Sequence, residues 1–192
     1  MRPLYFFTDR LLAATVIKLL PRRLTPNLIT TFRFLAVPAV FFLLIFERYD
    51  WSGGLFLLAV FTDMLDGALA RTTNQITNWG KLFDPLADKL LIGSAAAVLV
   101  TRFLSFKLAA AIIAVELLLI LSGYYYKYYR RLDIQANYLG KTKMVLQSIG
   151  LLALFGSVLG LPSWFWLQLL ADDILTVALI FAILSFFGYR SI

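Results

Sequence analysis

Four aspartates lie between two strongly apolar runs, in a stretch of chain that reads DMLDGALARTTNQITNWGKLFDPLAD and runs from Asp63 to Asp88. A carboxylate at the centre of a membrane-spanning helix costs about 2.5–3.5 kcal/mol on insertion scales. Four carboxylates so close together therefore require a compensating partner.

The spacing of these aspartates predicts that they form two facing pairs. Asp63 and Asp66 are three residues apart and Asp84 and Asp88 are four apart, so each pair lies on one face of a helix. The polar segment 72–79 predicts the turn between two antiparallel helices. The two pairs lie at similar distances from that turn, which predicts a cage of four carboxylates.

The chemistry of such a cage is that of a hard metal ion. The chain has no histidine and no cysteine, and an all-oxygen ligand set suits Mg²⁺ or Mn²⁺ rather than zinc or copper. Two divalent ions would balance four carboxylates, and a metal pair about 3.5–4 Å apart is a recognised device for phosphoryl chemistry. Gly67, Ala70 and Gly80 keep the neighbourhood small, and Arg71 is placed to hold a phosphate oxygen.

The pattern D-x-x-D-G-x-x-A-R-x8-G-x-x-x-D-x-x-x-D resembles the signature of the CDP-alcohol phosphotransferases, which are membrane enzymes that build phospholipid head groups. The resemblance implies transfer of a phosphatidyl group from CDP-diacylglycerol to an alcohol, with release of CMP, by a homodimer that uses two Mg²⁺ or Mn²⁺ ions. It implies Asp63, Asp66, Asp84 and Asp88 as metal ligands, with Asp88 also the general base. The implied CDP-binding residues are Asn27, Asp66, Gly67, Ala70, Arg71 and Gly80.

The alcohol acceptor is predicted from cations outside the cage. The segment from Gly140 to Lys143, expected in a loop, resembles the G-K-x-K segment of phosphatidylglycerophosphate synthases, and Glu116 matches the glutamate of their Arg-Glu pair. The arginine position is Val115 here, and Met144 replaces a usual threonine. Glycerol 3-phosphate is favoured because Arg33, Lys141 and Lys143 offer positive charge to a second phosphate. Phosphatidylglycerol, inositol phosphate and serine remain alternatives.

Composition and apolar runs predict an all-α integral membrane protein with a single domain over 1–192. The chain has 192 residues, 61% of them hydrophobic, and a mean hydropathy of +0.82. An interfacial amphipathic helix is predicted within residues 1–26. Six membrane-spanning helices are predicted to follow, at 27–46, 52–71, 80–101, 104–126, 144–161 and 164–187. Asp172 and Asp173 fall inside the last of these, which predicts either a shorter final helix or a polar contact.

Positive charge sorts to one side of these helices. The net charge is +7, but the basic residues alternate with lipid-like segments, which favours anionic lipid over nucleic acid as a partner. Only Arg48, Arg102 and Lys107 fall on the opposite side. Both termini and the carboxylate cage are therefore predicted on the cytoplasmic side of the cell membrane.

A different class of function uses the same residue types. Intramembrane aspartates can form a proton relay or cation pathway in a transporter. Such a pathway has no use for the small residues and arginine of the signature, and neither an inverted repeat nor a broken helix is evident in the sequence.

Overall fold

The computed structural model describes residues 26–73, 78–129, 138–161 and 163–188. It is all-α in these ranges, as predicted. Six long helices follow in chain order: α1 (Pro26–Ile45), α2 (Tyr49–Thr73), α3 (Asn78–Ala95), α4 (Phe106–Tyr129), α5 (Tyr138–Val158) and α6 (Trp164–Gly188). The interfacial helix predicted before α1 lies outside the described residues.

The six helices correspond to the six predicted spans, and the fifth differs most. It begins at Tyr138, whereas the span was predicted from 144. Gly140, Lys141 and Lys143 therefore lie on a helix, and their placement in a loop was wrong. The prediction counted only residues apolar enough for lipid, but a helix continues past the hydrocarbon as long as its backbone hydrogen bonds do.

The last helix is unbroken through its two aspartates. α6 runs from Trp164 to Gly188, so the expectation of a shorter final helix was wrong. Asp172 and Asp173 are both exposed on its surface.

Helix α3 continues beyond Ala95 without a break. A π-helical segment, Ala96–Val100, leads into a helical turn, Thr101–Phe103, and the residues at both joints keep right-handed helical backbone angles. Leu99 and Val100 are fully buried. Ala87, Leu91 and Ala95 are buried at the same four-residue spacing as Leu99, so the buried face of α3 continues through the π-helical segment.

The surface of the bundle is apolar, and part of its interior is charged. Large apolar side chains such as Leu35, Leu118 and Ile180 are exposed in the middle of helices, while Arg33 and Glu116 are buried. By length and apolar composition, two described stretches suffice to cross a membrane, Phe106–Tyr125 and Trp164–Phe187. This distribution fits a bundle whose outer face meets lipid.

The bundle divides along its length into two halves. The apolar half lies beside the α1–α2 turn, where the Phe56 and Phe155 rings have their centroids 5.4 Å apart. Its buried core includes Val40, Leu44, Phe56, Leu99, Leu154 and Phe155. The polar half lies toward the opposite helix ends and contains the buried side chains of Arg33, Glu116, Lys143 and Gln147. Helix α1 packs on α2 and α3, and α5 packs along α6.

A glycine permits the close approach of α5 and α6. A Cβ atom at Gly150 would lie 2.8 Å from Leu175 Cγ and 3.3 Å from Ile174 Cγ2. Leu175 is itself buried, so it has little room to move away. Small residues at helix contacts serve this purpose in membrane bundles.

We expect Gly150→Ala to destabilise the protein by about 1–3 kcal/mol, because the added methyl group overpacks the α5–α6 contact. Thermal unfolding in detergent measures the effect. Gly123→Ala on α4 is the matched control, since a Cβ there meets nothing within 4 Å, and it is expected to be neutral or slightly stabilising. Equal melting temperatures for the two variants would contradict the packing argument.

Candidate functional site

The four signature aspartates lie on two consecutive helices. Asp63 and Asp66 are on α2, and Asp84 and Asp88 are on α3, the two helices on either side of the segment 74–77. All four aspartates therefore lie on helices, as their spacing predicted. The surroundings of the other residues predicted for the cage and the CDP site lie outside what the structure describes. These residues are Asn27, Asp63, Asp66, Gly67, Ala70, Arg71, Gly80 and Asp84. The cage and the CDP site therefore stay predictions.

Asp88 is the signature aspartate whose side chain is described, and it meets a buried arginine. Arg33 on α1 donates from Nη1 to Asp88 Oδ1. The Arg33 side chain is 0% exposed and that of Asp88 is 13% exposed. The predicted general base and one of the predicted acceptor-binding cations thus form an ion pair. Sequence reasoning missed this contact because 55 residues separate the partners.

A second buried ion pair lies between α4 and α5. Lys143 Nζ donates to Glu116 Oε1, and Gln147 Nε2 donates to the same oxygen at 2.9 Å. We call Glu116, Lys143 and Gln147 the Glu116 cluster; their exposures are 3%, 2% and 1%. Lys143 and Gln147 are four residues apart on α5, so both reach one side of that helix.

The Glu116 cluster leaves two acceptor atoms unsatisfied. Glu116 Oε2 and Gln147 Oε1 are buried and find no hydrogen-bond donor among the described residues. Leaving a buried acceptor unpaired costs about 1–3 kcal/mol. Such atoms in a folded protein call for an explanation, which is often a bound water or ligand.

The two ion pairs belong to one electrostatic neighbourhood. Lys89 follows Asp88 on α3 and lies within range of the charges of Asp88, Glu116 and Lys143. Helices α1, α3, α4 and α5 therefore all contribute charged groups to the polar half of the bundle. Lys141 lies on the exposed side of the first turns of α5, two residues before Lys143.

The residue types present fit a divalent metal ion. Asp88 supplies a largely buried carboxylate, and three further aspartates lie within 25 residues of it in the sequence. Carboxylate oxygens are the donors that Mg²⁺ and Mn²⁺ prefer. Among the described side chains there is no group of three metal-binding residues, since three of the four aspartates lie outside that set.

The sequence matches known proteins over most of its length. The profile of the family described as CDP-alcohol phosphatidyltransferase matches residues 23–186. A Bacillus subtilis protein is 33% identical over 192 residues, which covers 86% of this chain and 93% of the relative. A Mycoplasma genitalium protein is 36% identical over 148 residues, covering 72% of this chain and 62% of the relative. A Rickettsia typhi protein is 28% identical over 167 residues, covering 85% and 93%.

These relatives share one name, CDP-diacylglycerol–glycerol-3-phosphate 3-phosphatidyltransferase. The chain spans about three fifths of the Mycoplasma genitalium relative and nearly all of the Bacillus subtilis one. The matched range contains every signature aspartate and the residues of both buried ion pairs, and the match confirms the family that the signature predicted. The chain belongs to the CDP-alcohol phosphatidyltransferase family.

Proposed function

We propose that this chain transfers the phosphatidyl group of CDP-diacylglycerol to glycerol 3-phosphate and releases CMP. The observation that carries the proposal is the buried polar half, where Arg33 holds the Asp88 carboxylate beside the Glu116 cluster. Membership of the family and the name that the relatives share agree with it. Buried ion pairs add little net stability to a protein, so the charged groups in this core are better explained by the binding of a charged substrate.

The proton of the acceptor passes to Asp88. The acceptor hydroxyl oxygen forms a bond to the phosphorus that carries the diacylglycerol, while the bond from that phosphorus to the CMP oxygen breaks. The electron pair of the broken bond leaves with CMP. Arg33 keeps the Asp88 carboxylate oriented and ionised until the hydroxyl proton arrives.

The aspartate cage holds the metal ions in this proposal. Asp63, Asp66, Asp84 and Asp88 together would hold two Mg²⁺ or Mn²⁺ ions, which, when bound, polarise the reacting phosphate and stabilise the charge on departing CMP. Four carboxylates facing each other without cations would repel strongly.

The nucleotide occupies the space beside the small residues of the signature. Gly67, Ala70 and Gly80 leave room for the cytidine, and Arg71 binds a diphosphate oxygen. Asn27 and Asp66 complete the CDP site by hydrogen bonding.

The second phosphate, that of the acceptor, lies near the cations of the polar half. Arg33 and Lys143 each already contact a carboxylate, so they orient side chains of the site as well as lowering its negative charge. Lys141 on the exposed side of α5 provides a direct phosphate contact. Its position suits a water-soluble acceptor that arrives from the cytoplasm.

The membrane arrangement follows from the charge distribution. All six helices span the bilayer, with both termini and the site on the cytoplasmic side. The acyl chains of the donor enter sideways from lipid, while CMP and the acceptor exchange with water. A single catalytic domain over 1–192 and a homodimer stay predictions.

One assay tests the proposed function and its alternatives. Purified protein receives CDP-diacylglycerol and Mg²⁺ with one acceptor at a time: glycerol 3-phosphate, phosphatidylglycerol, inositol phosphate or serine. CMP release with glycerol 3-phosphate is expected. CMP release with phosphatidylglycerol alone would replace the acceptor, and ion flux in liposomes without CMP release with any acceptor would favour a transporter.

We expect Asp84→Asn to lower activity by about 100-fold or more and to weaken metal binding, because it removes a hard ligand. Asp63→Asn should behave in the same way. CMP release as a function of Mg²⁺ concentration, with Mn²⁺ binding by calorimetry, measures both effects. Asp172→Asn on the exposed surface of α6 is the matched control; normal activity of Asp84→Asn at an unchanged Mg²⁺ requirement would refute its role.

We expect Lys141→Ala to raise the KM for glycerol 3-phosphate by about tenfold, because a charge-assisted hydrogen bond to its phosphate is lost. The KM for CDP-diacylglycerol should change much less. Steady-state kinetics with each substrate varied in turn separates the two effects. Lys107→Ala, which removes an exposed lysine at the start of α4, should change neither KM; equal increases for both substrates in Lys141→Ala would rule out a specific acceptor contact.

A further inference from the structure

The two unsatisfied oxygens of the Glu116 cluster define what kind of group can bind there. Glu116 Oε2 and Gln147 Oε1 are both hydrogen-bond acceptors. Their partner must therefore be a donor, which excludes a phosphate dianion or a carboxylate at this position. A hydroxyl group is a neutral donor that fits a buried site of this kind, and a substrate hydroxyl can take the place of a bound water there.

Both protein donors of the cluster bond to the same oxygen of Glu116. Lys143 Nζ and Gln147 Nε2 both donate to Glu116 Oε1. The carboxylate is thus fixed on one side by two helix α5 residues, while its second oxygen has no donor among the described residues. A carboxylate held in this way is oriented in advance for a third partner.

The cluster and the proposed general base lie on helices that pack together. Helix α3, which carries Asp88, contacts both α4, which carries Glu116, and α5, which carries Lys143 and Gln147. An acceptor whose reacting hydroxyl meets Asp88 thus has a second buried polar group in its neighbourhood, contributed by α4 and α5 rather than by the signature helices.

We propose that Glu116 Oε2, with Gln147 Oε1 beside it, binds the hydroxyl of the acceptor that does not react. This inference rests on the proposed function and specifies its substrate: a small phosphorylated polyol with a second hydroxyl next to the reacting carbinol. In glycerol 3-phosphate that group is the hydroxyl on the middle carbon. Lys143 is then a positioning residue that acts through Glu116.

The proposal predicts discrimination against an acceptor that lacks this hydroxyl. A site built to bond a hydroxyl rejects the deoxy analogue because its own polar groups would stay unpaired. We expect kcat/KM for glycerol 3-phosphate to exceed that for 3-hydroxypropyl phosphate by about 100-fold. Both compounds carry the same phosphate and the same primary hydroxyl, so the ratio isolates the middle hydroxyl.

Two variants test the assignment with this ratio. Gln147→Leu keeps the Glu116–Lys143 pair and is expected to lower the ratio by about tenfold. The double variant Glu116→Leu with Lys143→Met replaces the buried pair by apolar groups of similar size, a change that folded proteins often tolerate, and should bring the ratio close to one. The ratio does not depend on how much of each preparation is folded.

Gln168→Leu is the matched control, because it makes the same substitution in a residue that donates to Phe103 O in the apolar half. Its ratio should equal that of the unmodified protein. A ratio near one in the unmodified protein, or a parallel fall of both rates in Gln147→Leu with the ratio unchanged, would overturn the hydroxyl site while leaving the proposed function intact.

Failure of the proposed function gives a different result. If the unmodified protein releases CMP with neither glycerol 3-phosphate nor 3-hydroxypropyl phosphate but does so with phosphatidylglycerol or serine, both proposals fall. Turnover of both phosphorylated acceptors with equal kcat/KM would contradict the hydroxyl site but not the proposed function.

Discussion

The bundle depends on one constraint: charged side chains on lipid-surrounded helices must meet counter-charges on other helices. Arg33 on α1 meets Asp88 on α3, and Lys143 on α5 meets Glu116 on α4. The first pair joins helices that are not consecutive in the chain, and the second joins two helices whose described ends are Tyr129 and Tyr138. An uncompensated charge in either position would be strongly destabilising, so these contacts restrict how the four helices can be rotated.

The two halves of the bundle have different tasks. The apolar half packs Leu44, Phe56 and Leu99 into a continuous core, which fixes the helices at one end. The polar half contains the groups that can react or bind. Placing functional side chains on helices that are anchored elsewhere by close packing holds them in defined positions.

The sequence was sufficient to predict the helices and the family but not the partners of the buried charges. Apolar runs place each helix, and the aspartate spacing alone identifies α2 and α3. Nothing local indicates that Asp88 meets Arg33, because the contact depends on how α1 packs against α3. The position of Lys143 also depends on where α5 begins, and hydropathy does not detect a helix start in polar sequence. Val115 offers Glu116 no neighbouring cation, and only the structure shows that Lys143 pairs with Glu116 from another helix.

Stability alone does not account for these ion pairs. Apolar residues of similar volume would pack the same space as well or better, because two charges lose their hydration on burial. The pairs are better explained as parts of a binding site whose negative and positive charges already neutralise each other before a substrate binds. In the proposed function both substrates bring phosphate groups, and a carboxylate without a cation nearby would repel them. With Arg33 and Lys143 already in place, such a phosphate would enter a region where the negative charge of Asp88 and Glu116 is offset. The same carboxylates compete for the two cations, which would keep a product phosphate from binding too tightly. Paired charges would thus allow a dianionic acceptor and a CDP-lipid to use the same polar half of the bundle.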